Sequence, residues 1–484
     1  MSTKEVSLQA STLRLIYWPV LAIYAALVLL GVATHEPWRD EALSWLMCRD
    51  LGVIDLFKST PIEGHPPLWY AIILPFAKLG LPAISQNYLT GFIMILSVWM
   101  LLFKTELPLY LKILLPFSYF FLYQYAVFAR NQCLVPLFMV AIVAEYPKRF
   151  RHPYIFALLV IGLFNAHSLS FTLAGGIAFL FLLDAMQQKR LDKRNIGAFA
   201  AMCIGGGYLV PFFLLRGSSM NAYAERIKDH GEEITRAINA ALLTYSDSSV
   251  AIIVFMLIAV LLLLRPKAFM VLVAGMVGIV YILGFKYIGT VRHQGAILFV
   301  TLGALGLAYH YDNAPWNIKT KFNSAQAVAI LLCLTLLYQV KTGFESWKKD
   351  REELYSDGKN AAEFLMETNL EHSFIIAHRS YAAFSIFPYL PKDVRFFYPE
   401  CMVEGSFLLD DSCHLANQFL PQDYAVYVAD TMFYKPNQAP PKQQVLLLLN
   451  APIRDPQLGA GWQLIYQTPE PTIQNDEQYF IYKR

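Results

Sequence analysis

The chain has 484 residues and a formal net charge of +3; 56% of its residues are hydrophobic and only 15% are charged. Ordinary soluble domains carry about 25% charged residues, so this depletion argues against a soluble enzyme. The net charge says nothing about partners, because the distribution matters more than the sum, and no basic tract suggests nucleic acid.

Apolar runs of membrane-crossing length recur from Leu15 to Val340, which predicts a polytopic α-helical membrane protein. The first, Leu15 to Thr34, is too long for a signal-peptide core and lacks a small-x-small cleavage site, so it is expected to be a retained span. Others follow near 86–103, 113–128, 132–146, 153–166, 168–187, 196–215, 249–264, 268–286, 294–309 and 324–341, for about eleven spans in all. With Lys4 and Arg14 on the cytoplasmic side, every inner connector is basic. These connectors hold Lys104 and Lys112; Lys148, Arg149 and Arg151; Lys189, Arg190, Lys193 and Arg194; Arg265 and Lys267; and Lys319 with Lys321. The C-terminus then lies outside. The run Pro67 to Leu79 is too short to cross roughly 30 Å of hydrocarbon and is expected to be a juxtamembrane helix in the first outer loop, 35–85.

This topology places Asp40, Glu41, His65, Arg130, His167, Arg292 and His293 on one membrane face. Ionisable residues beside hydrocarbon are costly and usually mark chemistry or a substrate path. The separate loops are therefore expected to converge on one outward-facing polar site. Asp40 to Met47 fits a short amphipathic helix, in whose first turn two carboxylates also serve as simple dipole partners. Glu63-Gly64-His65-Pro66-Pro67-Leu68 reads as a rigid turn into the next helix, with Glu63 and His65 held towards the carboxylates; its prolines also suit a plain helix start. Arg130, within Phe128–Gln132, and Arg292, within Gly289–Gln294, bring guanidinium forks that suit phosphate oxygens, against a simpler snorkelling role. His167 stands alone between two spans. No fixed ligand spacing among Asp40, Glu41, His65 and His167 supports a metal, and no cofactor is expected.

From about Thr342 the pattern changes. Ser373 to Ala377, Tyr424 to Val428 and Gln444 to Leu449 read as strands, and Asp350 to Glu367 as a helix with Ala361, Ala362, Phe364 and Leu365 inward. Domains are thus expected at 1–341, membrane-embedded, and 342–484, a small α/β domain outside the membrane. Cys133, Cys203 and Cys333 fall within spans as small apolar residues. Cys401 and Cys413 could form a disulfide in an oxidising compartment.

The Asp-Glu pair just after the first span, followed by His-Pro-Pro-Leu at 65–68, resembles the GT-C superfamily of membrane glycosyltransferases. The nearest branch is that of protein O-mannosyltransferases and lipid A aminoarabinose transferases. The resemblance covers residues 35–70 closely and the layout of 1–340 loosely. It implies two juxtamembrane helices in the first outer loop, Asp40 as general base, Glu41 as its acidic neighbour and His65 near the donor. It further implies an inverting transfer at the outer face of a bacterial inner membrane. The donor would be a polyprenyl-phosphate-linked sugar, with Arg130, Arg292 and His293 on its phosphate and His65, Glu63 and His167 near sugar or acceptor. The acceptor, whether glycan, lipid or protein, stays open, because the C-terminal domain differs from the repeats of eukaryotic O-mannosyltransferases. Two other readings are a lipid-linked-sugar flippase, which calls for ionisable residues at mid-span or paired interrupted helices, and an outward-facing polysaccharide polymerase or ligase.

Overall fold

The computed structural model describes residues 3–211, 227–244, 249–311, 323–409, 420–434, 444–455, 457–469 and 473–484. Lys319, Lys321, Cys413 and the end of the apolar run 196–215 lie outside the described residues. The chain divides into two compact units. One comprises Met1–Ala33, Gly64–Trp69 and Tyr88–Lys348; the other comprises Thr34–Glu63, Tyr70–Asn87 and Lys349–Arg484. Most of the first loop thus belongs with the C-terminal residues, and the division falls at Lys348 rather than at 341.

Among the described residues, six helices are long and apolar enough to cross a membrane: Arg14–Thr34, Ser85–Lys104, Ser168–Gln187, Pro266–Phe285, Val291–Ala308 and Ser324–Glu352. Pro153–Ala166 and Ser249–Leu263 are shorter apolar helices. Leu15, Ile23, Phe92, Leu158, Phe179, Ile253, Val277 and Leu334 are all exposed. Soluble proteins rarely carry so much outward apolar surface, whereas lipid accommodates it.

Residues 113–128 do not form the single span expected. The helix Leu109–Leu114 gives way to a 3₁₀ turn at Leu115–Phe117 and a π-helical turn at Tyr119–Gln124. Pro116 lacks an N–H and crowds the preceding turn, and Ser118 is extended, with ψ 159°. The broken stretch is sheltered: Tyr119, Phe120, Phe121, Leu122, Ala126, Val127 and Ala129 are all buried. Irregular backbone at membrane depth is tolerated where protein, not lipid, surrounds it. Gly343 allows the helix Ser324–Glu352 to lie against this stretch, since a Cβ there would sit 2.9 Å from the Tyr119 nitrogen.

Small residues set the other close packings in this unit. The helix Phe171–Gln187 meets Pro266–Phe285 where Gly176 faces Ala274 and Gly278 faces Thr172. Such contacts let apolar helices approach without a hydrophobic driving force.

The second unit is built on a six-stranded sheet. Its strands are β1 (Phe374–Ala377), β2 (Phe396–Tyr398), β3 (Val403–Gly405), β4 (Val445–Leu449), β5 (Gln463–Gln467) and β6 (Phe480–Lys483), in the order β3-β2-β1-β4-β6-β5. The central pairs β1–β2 and β1–β4 are parallel, with Ile376 opposite Phe397 and Leu447; the outer pairs are antiparallel. Side chains alternate between faces. Ile375, Leu446, Leu448 and Ile481 join Ala361, Ala362 and Leu365 on one side, together with Ala42 and Leu46 of the helix Arg39–Asp50. Ile376, Val445, Leu447 and Phe480 join Ala425, Val426, Val428 and Ala429 on the other.

Two local expectations are corrected. Residues 424–428 are not a strand but part of the helix Gln422–Phe433. Burial at 425, 426, 428 and 429 follows the helical period, and Pro421 stands at the N-cap. The helix expected over Asp350–Glu367 is two pieces: residues 350–352 close the long helix Ser324–Glu352, and a new helix, Gly358–Glu367, starts after the break. Ala361, Ala362 and Leu365 are buried as expected, while Phe364 stacks on Tyr466 with ring centroids 4.1 Å apart.

Candidate functional site

The eight predicted site residues divide between the units. His65, Arg130, His167, Arg292 and His293 gather in the first, whereas Asp40, Glu41 and Glu63 belong to the second.

In the first unit, four turns hold the basic residues. Gly64, at φ +81°, makes the turn before His65-Pro66-Pro67. The Ser168 hydroxyl donates to the Gly64 carbonyl at 2.7 Å, and Asn131 donates to the Ala166 carbonyl at 3.0 Å. These bonds fix the turns carrying His65, Arg130 and His167 against one another. The Arg130 guanidinium donates to Nε2 of His65 at 2.9 Å, a contact that requires this nitrogen to be unprotonated. The His65 and His167 ring centroids lie 5.5 Å apart, and those of His167 and His293 lie 5.9 Å apart. Nδ1 of His167 accepts from the Leu169 N–H at 3.1 Å, and Nδ1 of His293 from the Thr290 N–H at 3.2 Å. In the neutral rings these bonds leave the proton on Nε2. Tyr287 packs edge-on to His293.

A small cavity adjoins this row. Its polar lining comes from Tyr125, Gln132, His167, Ser170, Arg292 and His293, and its apolar walls include Val135, Leu173 and Val300. The Tyr125 hydroxyl donates to the Arg292 carbonyl at 2.6 Å and so fixes that turn. No acidic residue stands among the described lining residues. The hydroxyls of Tyr125 and Ser170 donate to backbone carbonyls, so a guanidinium, two imidazoles and an amide beside apolar walls remain as the arrangement suited to an anion with an apolar attachment.

In the second unit, Glu41 and Asp40 sit in the first turn of the helix Arg39–Asp50. Their environments differ sharply. Glu41 is fully buried. Its carboxylate accepts from Nε2 of His35 at 2.9 Å, the Trp38 N–H at 3.2 Å and the Asn87 amide at 2.6 Å. Gln86 donates to its carbonyl at 3.0 Å. Asp40 is half-buried, and its charge helps to hold the Arg39 guanidinium protonated. The two acids are therefore not interchangeable: Glu41 is enclosed and already engaged, whereas Asp40 keeps exposed surface. Glu63, also half-buried, ends the helix Val53–Glu63.

His35 is the residue that sequence reasoning missed. Its Nδ1 lies 2.9 Å from Oδ2 of Asp350, so the ring bridges two buried carboxylates. Burial lowers its basicity, but the charges and hydrogen bonds of Asp350 and Glu41 outweigh that and raise its pKa to about 10. A histidine directly after an apolar span was the only signal in the sequence. Arg39 is anchored similarly, 2.6 Å from Asp476 and 3.6 Å from Glu477, with its guanidinium over the Trp38 and Tyr381 rings. Burial pushes the Glu477 carboxyl up to about 8 despite Arg39. Glu36 is pushed up to about 7 by burial and the charge of Asp357.

Cys401 is disulfide-bonded, and Cys48, Cys133, Cys203 and Cys333 are free. Among the described residues, no group of three or more His, Cys, Asp or Glu is arranged to hold a metal ion. No protein-family model matches the chain, and no curated protein sequence matches it.

Proposed function

We propose that the protein is an inverting membrane glycosyltransferase of GT-C type. It would have about eleven spans, a cytoplasmic N-terminus and an extracytoplasmic C-terminal unit, in a bacterial inner membrane. The donor is a polyprenyl-phosphate-linked sugar and the acceptor a glycan, lipid or protein hydroxyl.

The observation that carries the reading is the basic cavity among apolar helices, with Arg292, His293 and His167 in its wall and Arg130 next in the row. Guanidinium forks pair with phosphate oxygens through charge-assisted bonds, which strengthen as water is excluded. The motif at 40–41 and 65–68 adds support, as does the disulfide at Cys401, since disulfides persist in oxidising compartments.

In the reaction, the Asp40 carboxylate takes the proton of the acceptor hydroxyl as that oxygen attacks the anomeric carbon. The bond from the anomeric carbon to the phosphate oxygen breaks from the opposite side. Polyprenyl phosphate leaves with the bonding pair, its charge held by Arg130, Arg292 and His293. Glu63, His65 and His167 bind sugar or acceptor. Glu41, enclosed by His35 and Asn87, supports the turn rather than exchanging protons with substrate. No metal or cofactor is assigned a role.

A second reading, a flippase for the same lipid-linked sugar, has one observation in its favour: the broken helix at Leu115–Gln124, since interrupted helices also line translocation paths. The experiment supplies purified full-length protein in nanodiscs with a synthetic polyprenyl-phosphate sugar and a membrane-glycan extract. Release of polyprenyl phosphate matched by a glycosylated product supports transfer. Flipping of intact donor in proteoliposomes, without product, would favour the flippase instead.

A further inference from the structure

We infer that His35, backed by Asp350, is the positioning residue for the helix turn that presents Asp40. The inference deepens the glycosyl-transfer reading and rests on it for the role of Asp40. The clamp itself rests on geometry within one unit.

Asp40 directly precedes Glu41 in the first turn of the helix Arg39–Asp50, so whatever fixes Glu41 fixes the backbone of Asp40. Glu41 is held at 2.9 Å by His35, at 2.6 Å by Asn87 and through its carbonyl by Gln86 at 3.0 Å. Its carboxylate also closes back on the Trp38 N–H, which sets where the helix begins. His35 is in turn fixed by Asp350, whose two oxygens lie 2.9 and 3.2 Å from Nδ1, and its ring packs against Tyr355 with centroids 5.1 Å apart.

An imidazolium is suited to this place. It offers two N–H donors at opposite ends of a rigid ring, so one side chain satisfies two buried carboxylates and fixes the distance between them. A lysine would bring a mobile point charge, and a glutamine could donate from one end only. Removing the ring leaves two buried carboxylates without their shared counter-charge, which is costly and would loosen the turn. Catalytic groups need placement well within an ångström, and small misplacements cost rate rather than affinity.

The test uses full-length protein in nanodiscs and the variants His35→Ala, His35→Gln, Asp350→Ala and Asp350→Asn. Two readouts are taken: hydrogen–deuterium exchange of residues 38–44 against strand β4, and kcat and donor KM for sugar transfer. The inference expects faster exchange at 38–44 with β4 unchanged, and kcat lowered about 10²-fold in the alanine variants with donor KM little altered. Asp350→Asn, which keeps an acceptor for Nδ1, retains more activity than Asp350→Ala, and added imidazole partly restores His35→Ala. Unchanged exchange at 38–44, or wild-type kcat in His35→Ala, overturns the inference. If the alanine variants do not fold, His35→Gln and Asp350→Asn decide by the same measures. If wild-type protein transfers no sugar, it is the glycosyl-transfer reading that fails, and the exchange data still decide whether the clamp orders the turn.

Discussion

Arg130 donates a 2.9 Å hydrogen bond to Nε2 of His65, joining two turns 65 residues apart in sequence. From there, ring contacts run through His167 to His293, beside Arg292 and a cavity without acidic lining residues. The contact uses a donor that the proposed phosphate would otherwise claim, so bound anion and His65 compete for, or share, the Arg130 fork.

Replacing either arginine by lysine should weaken the hold on the donor phosphate. A hydrogen bond to a charged group contributes about 1.5–3 kcal/mol, and lysine keeps the charge while losing the fork. Arg292→Lys and Arg130→Lys are each expected to raise the donor KM about 10- to 100-fold, with the acceptor KM little changed. Initial-rate kinetics with donor and acceptor varied separately check this.

The His35 clamp gives stability a pH dependence of known sign. Its folded-state pKa, about 10, lies above the ordinary 6.5. The folded protein therefore binds this proton more tightly, and the stabilisation is fully present below pH 6.5 and lost as pH rises through about 10. Thermal midpoints in detergent should fall across that interval in wild type, and the fall should be smaller in His35→Gln.

Helix packing in the first unit depends on missing side chains. A Cβ at Gly278 would collide with Thr172, and one at Gly176 would lie 2.5 Å from the Ala274 methyl. Gly278→Val should destabilise the unit by about 1–3 kcal/mol, the usual cost of overpacking. Equilibrium unfolding in mixed micelles checks this, and Gly175→Ala, where a Cβ meets nothing within 4 Å, should change little.

The cysteines report on the compartment. Four described cysteines are free and Cys401 is disulfide-bonded. Alkylation of denatured, unreduced protein followed by mass spectrometry should modify Cys48, Cys133, Cys203 and Cys333 and leave Cys401 unmodified until reduction.

Much of this was legible in the sequence for definite physical reasons. Apolar length alone picks out Leu15–Thr34 and 268–286, because hydrocarbon thickness sets the number of residues. The same criterion misjudges 113–128. Its composition is apolar, but Pro116 and the aromatic run after it break the helix, and burial inside the unit hides that break from hydropathy. At 424–428 the alternation of tyrosine with Ala and Val imitated a strand, while the inward residues follow the helical spacing. The basic cluster emerged from topology, since five residues on four separate turns shared one predicted face. The partnership of Glu41 with His35 and Asp350 did not, because 315 residues separate His35 from Asp350. Two neighbouring acids look equivalent in sequence, and only burial separates enclosed Glu41 from half-exposed Asp40.

The account stands most directly on sugar transfer by Asp40. Purified wild type and Asp40→Asn, in nanodiscs, would be given one polyprenyl-phosphate sugar of defined anomeric configuration, with product analysed by NMR. The account predicts product of inverted configuration from wild type and a rate about 10²–10⁴-fold lower from Asp40→Asn. Retained configuration, or equal transfer by the two proteins, would contradict it.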